Sequence, residues 1–151
     1  MKNKIILLVD DDQNDLEFIL KALNELKFLC NIVVVNDGVE AMDFLKCRGK
    51  FNGRKAINPA VIILDIKMPR IDGTEVLKEI RGSVSLKNIP IVIFTSSSYE
   101  KDIIESYENG VNAYVVKPIN ISKFFSTVKL IGLFWGQSNE LSPLKEYNSD
   151  D

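Results

Sequence analysis

The sequence predicts an α/β fold, a parallel sheet of five strands alternating with five helices, and three observations carry that prediction. Short continuous apolar runs rich in β-branched residues recur at Lys4–Val9, Ile32–Val35, Val61–Leu64, Ile89–Phe94 and Ala113–Val116. Such runs suit strands buried on both faces, as in a parallel sheet. Between them, apolar residues recur at helical spacing, and strand–helix alternation is the signature of right-handed βαβ crossovers. Finally, the runs end in chemically active residues, at the carboxyl edge where open α/β sheets place their sites.

Taken in order, Lys4–Val9 is the first strand and meets Asp10-Asp11-Asp12. Leu16, Ile19, Leu20, Leu23 and Leu26 then share one helix face, with Asp12 as N-cap rather than a metal ligand and Asp15 favourable in the first turn. After the Ile32–Val35 strand, Asp37 with Glu40 three residues on opens a helix buried through Met42 and Leu45. Cys47–Pro59, with Arg48, Lys50, Arg54 and Lys55 among its glycines and asparagines, is a long basic loop. It reads either as a solvated insertion or as a docking surface for an acidic partner. Val61–Leu64 delivers Asp65 to the sheet edge. Pro69–Gly73 forms a turn, and the helix after it turns Val76, Leu77 and Ile80 inward and ends near Gly82. Ile89–Phe94 runs into Thr95-Ser96-Ser97-Ser98. Ser97 and Glu100 fit a capping box for a helix carrying Ile103, Ile104 and Tyr107 and stopped by Gly110. Ala113–Val116 precedes Lys117-Pro118, and Asn120 or Ser122 opens a last helix with Ile121, Phe124, Phe125, Val128 and Ile131 as its apolar set. The expected domain spans 1–136. The tail over 137–151 turns polar, and Asn148–Asp151 is expected to be disordered.

A chain of 151 residues fits one domain with one core. Its net charge of −2 lacks the basic footprint of a nucleic-acid binder. No apolar run approaches the about 20 residues of a membrane span. The N-terminal run stops at three acids, which does not fit a signal peptide, so a cytoplasmic location is expected. Cys30 and Cys47 have no metal-like spacing and read as free thiols. The chain contains no histidine. That excludes a Ser-His-Asp triad, a Cys-His pair and a His-ligated zinc site within it, and leaves oxygen ligands for any metal, which suit Mg2+, Mn2+ or Ca2+.

If the first, third, fourth and fifth strands lie side by side, Asp10, Asp11, Asp65, Thr95 and Lys117 converge on one crevice. Clustered carboxylates repel, and each must take up a proton or gain a cation. A hard divalent ion relieves them, Lys117 adds a fixed positive charge and Thr95 a hydroxyl donor, with Ser96 as the competing hydroxyl. An acid cluster with a cation, a lysine and a hydroxyl suits an incoming phosphoryl group, with a carboxylate as nucleophile.

The pieces Leu8-Val9-Asp10-Asp11-Asp12, Leu64-Asp65-Ile66-Lys67-Met68-Pro69, Asp72-Gly73, Phe94-Thr95-Ser96 and Tyr114-Val115-Val116-Lys117-Pro118, in that order on strand ends, resemble the response-regulator receiver domain of two-component signalling. The resemblance implies a flavodoxin-like (βα)5 fold with strand order 2-1-3-4-5. It implies that Asp65 accepts phosphate from a partner histidine kinase in a Mg2+-dependent reaction. Asp11 would bind Mg2+ directly, Asp10 mostly through water, and the Lys67 backbone carbonyl would join Asp65 as a further ligand. Thr95 and Lys117 would engage the phosphoryl group, Tyr114 would turn inward as a coupled switch or serve as plain packing, and Lys117-Pro118 would be cis. The protein would be a phosphoacceptor with slow self-dephosphorylation rather than an enzyme.

Other classes fit less well. A haloacid-dehalogenase-type phosphatase needs an acid two residues after its nucleophile, where this chain has Lys67. An FMN carrier of the flavodoxin type needs a Ser/Thr/Gly-rich loop after the first strand, where this chain has three acids. A degenerate receiver acting as a scaffold would normally have lost one of the site residues. The chain ends soon after the fifth helix, so the expected output is a changed protein-binding surface. Phe134 and Trp135 are read either as an exposed homodimer contact on the last helix or as internal packing. With the loop over 47–59, they make the chain similar to the single-domain regulators of bacterial phytochrome histidine kinases. That similarity implies such a kinase as partner.

Overall fold

The structure is a computed structural model and describes residues 4–27 and 30–143. Its elements run β1 Lys4–Val9, α1 Gln13–Asn24, β2 Cys30–Val35, α2 Gly38–Leu45, β3 Val61–Leu64, α3 Gly73–Arg81, β4 Ile91–Thr95, α4 Glu100–Glu108, β5 Ala113–Val116 and α5 Ile121–Leu133. The five strands pair in parallel in the order β2-β1-β3-β4-β5, as the sequence predicts. Pairing of Val9 with Val35 and Leu64, of Leu64 with Ile93, and of Thr95 with Val116 aligns the carboxyl ends along one edge.

Strand alternation sends neighbouring residues to opposite faces. Leu7, Val9, Ile62, Leu64, Ile91 and Ile93 pack with Met42, Phe44, Val76, Leu77 and Ile80 of α2 and α3. Ile6, Leu8, Val61, Ile63, Val92 and Phe94 pack with Leu16, Ile19, Leu23, Phe124 and Val128 of α1 and α5. The helix starts behave as their sequences require. Asp12, Asp37, Asp72 and Asn120 each accept a hydrogen bond from the backbone N–H three residues on.

Four expectations about the helices and the Lys117-Pro118 bond are corrected. The α4 N-cap is Tyr99, with no side-chain cap, because Ser97 Oγ donates instead to Asp102 Oδ2 at 2.5 Å. On α4, Ile104 and Tyr107 are exposed and Ile103 is only half-buried, while Ser106 is the buried position, its hydroxyl donating to the Asp102 carbonyl. The helix lies beside the short edge strand β5, whose residues are themselves only half-buried or exposed. Ile121 is likewise exposed on the first turn of α5. No peptide bond among the described residues is cis, so Lys117-Pro118 is trans, with the Lys117 N–H donating to the Thr95 carbonyl at 2.7 Å.

The loop over 47–59 is largely solvent-exposed, as a solvated insertion would be, but three of its basic side chains are tied back to the domain. Arg48 donates to Asp43 and Lys50 to Glu40. The Arg54 guanidinium lies 3.9 Å from the Phe44 ring centroid and donates to the Phe44, Lys55 and Ile57 carbonyls. At the chain's other end, Leu130, Leu133 and Phe134 are exposed. Trp135 is half-buried against the α1–α5 core and meets Phe134 edge-on at 4.9 Å between centroids. The expected disorder of Asn148–Asp151 lies outside the described residues.

Arg81 closes the end of α3. Its guanidinium donates to the carbonyls of Gly110, Lys87 and Ile89 and to Asn112 Oδ1, all at 2.8–2.9 Å. Truncation to Ala strands these acceptors. Urea unfolding of Arg81→Ala is expected to show a loss of about 2–3 kcal/mol; a loss under about 0.5 kcal/mol, ordinary for a surface site, would contradict this role.

Candidate functional site: an acid cluster closed by one lysine

Each site residue is placed by the sheet. Asp10 follows β1 and its N–H donates to the Val35 carbonyl; Asp65 follows β3 and its N–H donates to the Val9 carbonyl. Thr95 is the last residue of β4, and Lys117 follows β5. The close approach of α3 requires glycine at one point, because a Cβ on Gly73 would stand 2.2 Å from the Asp65 carbonyl oxygen. This gives the Asp72-Gly73 pair a physical reason: Asp72 caps α3 and Gly73 lets its first turn lie against the chain at Asp65.

Side chains complete the site. Asp10, Asp65 and Lys117 are buried, at 3%, 8% and 7% exposure, while Asp11 is exposed. Lys117 Nζ lies 2.7 Å from Asp10 Oδ2, 2.7 Å from Asp15 Oδ2 and 3.1 Å from Asp65 Oδ2, so all three of its N–H bonds have carboxylate acceptors. The other oxygens of the two buried acids are held by the backbone: Asp12 N–H donates to Asp10 Oδ1, and Ile66 N–H to Asp65 Oδ1. Burial pushes the Asp10 carboxyl up to about 6, against the opposing pull of Lys117 and the Asp12 N–H. Burial also works against the Lys117 charge, but its hydrogen bonds to Asp10 and Asp15 and the field of Asp65 outweigh it and hold the ammonium above the usual lysine range.

Asp10, Asp11 and Asp65 offer carboxylate oxygens that lie within 4.8 Å of one another. Among the described residues Lys117 is the one cation paired with Asp10, Asp15 and Asp65, and with Asp11 beside them the crevice carries surplus negative charge. The residues therefore fit a hard divalent cation, which prefers oxygen ligands and would offset that surplus.

The remaining predicted residues surround this cluster. Thr95 is buried, and Ser96, the competing hydroxyl, is exposed. Ser97 N–H reaches Thr95 Oγ1 at 3.4 Å, the Tyr114 hydroxyl donates to the Ser97 carbonyl at 2.9 Å, and Ser97 Oγ donates to Asp102. Tyr114 is half-buried against the sheet. Lys67 turns its exposed side chain toward Asp102, 3.9 Å away. A cavity of about 480 Å³ opens beside Lys117, lined also by Asp15, Phe18, Pro118, Ile121 and Phe124. The sequence reading passed over Asp15 as a lysine partner and Ser97 as the link to Asp102. The available signal for Asp15 was an acid one helical turn past the Asp10–Asp12 run.

Because the Asp10 proton is held more tightly in the folded chain than at its ordinary value of 3.8, the folded state gains from protonation. Asp10 therefore contributes stability at low pH that is lost as pH rises through about 6. With a chelator present, the stability of the native chain relative to Asp10→Asn is expected to fall by about 2 kcal/mol between about pH 4.5 and about pH 7.5; a difference constant across that range would contradict the assignment.

Comparison with known proteins agrees with this geometry. Residues 6–129 match the family described as "Response regulator receiver domain". The chain is 38% identical to the response regulator Rcp1 of Synechocystis sp. over 132 residues, covering 87% of this chain and 88% of that protein. The crystal structure of the Mn2+-bound form of Rcp1 superposes with a TM-score of 0.86 at 36% identity, covering 93% of this chain and 99% of the other. The phosphorylated cyanobacterial phytochrome response regulator RcpA gives a TM-score of 0.87 at 38% identity, covering 94% and 100%. The bacteriophytochrome response regulator RtBRR is 47% identical, with a TM-score of 0.75 over 94% and 86%. The strand order, the acid cluster and the match over 6–129 together make this chain a member of the response regulator receiver domain family.

Proposed function

We propose that this receiver domain accepts a phosphoryl group on Asp65 from a partner histidine kinase and passes the event on as a change of its protein-binding surface. One observation carries the reading: the Asp65 carboxylate stands at a strand end, 3.1 Å from a buried lysine, with its oxygens grouped with those of Asp10 and Asp11. An Asp65 oxygen attacks phosphorus, the P–N bond of the donor's phosphohistidine breaks, and the imidazole leaves with the bond's electron pair and a proton from solvent. Mg2+, when held by Asp10, Asp11, Asp65 and the Lys67 backbone carbonyl, supplies positive charge for the phosphoryl oxygens. Lys117 pairs with one of those oxygens, and the Thr95 hydroxyl donates to another. The Mn2+-bound form of Rcp1 and the phosphorylated form of RcpA support both parts of this reading.

The signal leaves through Ser97. Movement of Thr95 toward the phosphoryl group acts on the Ser97 N–H, and Ser97 in turn contacts both the Tyr114 hydroxyl and Asp102 of α4. Tyr114 serves here as the coupled switch, and the surface it alters is that of α4 and β5. Slow hydrolysis of the acylphosphate resets the domain. The likeness to RcpA and RtBRR supports a phytochrome-type kinase as the donor, and the cytoplasm is the location this reading assigns. Two copies pair through the exposed Leu130, Leu133 and Phe134 of the last helix and its continuation, with Trp135 backing the contact from its half-buried position.

Incubation with phosphoramidate and Mg2+ is expected to add one phosphoryl mass, which a chelator prevents and Asp65→Asn abolishes while the fold persists by circular dichroism. Undiminished labelling of Asp65→Asn would move the acceptor elsewhere. In sedimentation experiments, Phe134→Ala and Trp135→Ala should each weaken self-association by about tenfold or more, the effect of losing about 1.4 kcal/mol at an apolar contact. A monomeric parent chain, or dimers unchanged in both variants, would remove the pairing.

A further inference from the structure

Asp15 is the one carboxylate around Lys117 that stands outside the metal-type group of Asp10, Asp11 and Asp65. Its contact with Nζ, at 2.7 Å, equals that of Asp10 and is shorter than the 3.1 Å to Asp65. It comes from a different element: Asp15 sits in the first turn of α1, and its backbone N–H donates to the Asp12 cap. Asp12 in turn donates through its own N–H to Asp10 Oδ1. The carboxylate thus has a fixed platform, and α1 itself is pinned by Leu16 and Ile19 in the core it shares with Phe124 and Val128 of α5.

From this geometry we propose that Asp15 is a positioning residue: by taking one of the three Lys117 N–H donors it draws the ammonium toward α1, so that Asp65 receives only the longest of the three contacts and its carboxylate is less engaged when it attacks phosphorus. The proposal rests on Asp65 being the phosphoacceptor. Without Asp15, the ammonium has two carboxylate partners left, and it settles more tightly onto Asp10 and Asp65. A lysine closed onto the nucleophile lowers its nucleophilicity and competes with the cation for the same oxygens.

The test combines Asp15→Asn with Lys117→Met and the double variant, each followed by phosphoramidate labelling at saturating Mg2+ across a range of donor concentrations. Asp15→Asn is expected to lower the maximal labelling rate about tenfold (about 1.4 kcal/mol) with the half-saturating donor concentration unchanged. In the Lys117→Met background the same substitution should change the rate less than twofold, because its effect passes through the lysine. Asp15→Glu, which retains the charge on a longer arm, should recover part of the rate. Labelling of amines with an acylating reagent, read by peptide mass, supplies a readout independent of phosphorylation: Lys117, drawn further onto the buried Asp10 and Asp65, should react several times more slowly in Asp15→Asn than in the native chain. An equal rate loss in the presence and absence of Lys117, a change confined to the half-saturating donor concentration, or unchanged Lys117 protection would each overturn the proposal. If the native chain takes up no phosphoryl group at all, the phosphoacceptor reading fails, and the amine-labelling arm still decides whether Asp15 holds the lysine.

Discussion

The burial of one ammonium among carboxylates is the constraint on which this structure depends. Lys117 is almost wholly enclosed, and its charge is tolerable only because Asp10, Asp15 and Asp65 accept all three of its N–H bonds. Removing the carboxylates would leave that charge uncompensated, and even breaking a single buried ion pair costs about 3–5 kcal/mol where no other partner remains. The contacts come from β1, α1, β3 and the segment after β5, so the lysine ties together both sides of the sheet's carboxyl edge. The arrangement is nevertheless unbalanced, because among the described residues one cation is paired with three carboxylates and Asp11 lies beside them. That imbalance is useful in a phosphoacceptor: it provides a place for a divalent ion while the lysine remains available to a transferred phosphoryl group.

The same sheet edge couples chemistry to surface through a short path. Thr95, Ser97, Tyr114 and Asp102 are linked by hydrogen bonds from the end of β4 to β5 and to α4. Helix α4 is suited to respond, since its one buried position is the serine Ser106 and its apolar residues Ile104 and Tyr107 face outward. An element with little apolar burial is held by few kcal/mol and shifts at small cost. By contrast, α3 is fixed by Val76, Leu77 and Ile80 and by the Arg81 guanidinium. The fold thus places its firm elements around the acceptor and its loosely packed one beside the switch.

Much of this was legible in the sequence, and the reasons are local. Unbroken runs such as Val61–Leu64 can be accommodated only by a strand buried on both faces, and alternation with amphipathic helices leaves one class of architecture. Asp10, Asp11, Asp65, Thr95 and Lys117 were readable because the end of a strand is marked by an abrupt change from apolar to polar. The features that escaped depend on distance in space. Asp15 reads as an ordinary helix-start acid until β5 brings Lys117 to it, 102 residues away in the chain. Ser97 looks like an N-cap, yet its hydroxyl donates to Asp102 and the helix starts later. The basic loop reads as a solvated insertion or a docking surface because sequence alone does not reveal that Arg54 folds back onto Phe44 and the carbonyls near it.

The most direct test of the central claim is a crystal structure of the protein with Mg2+ and beryllium trifluoride, a tetrahedral mimic of the phosphoryl group. The account predicts beryllium bonded to an Asp65 carboxylate oxygen, the metal among Asp10, Asp11 and Asp65, and fluorines within hydrogen-bond reach of Lys117 Nζ and Thr95 Oγ1. A metal-loaded site with no beryllium on Asp65, or beryllium bonded to another carboxylate, would contradict it.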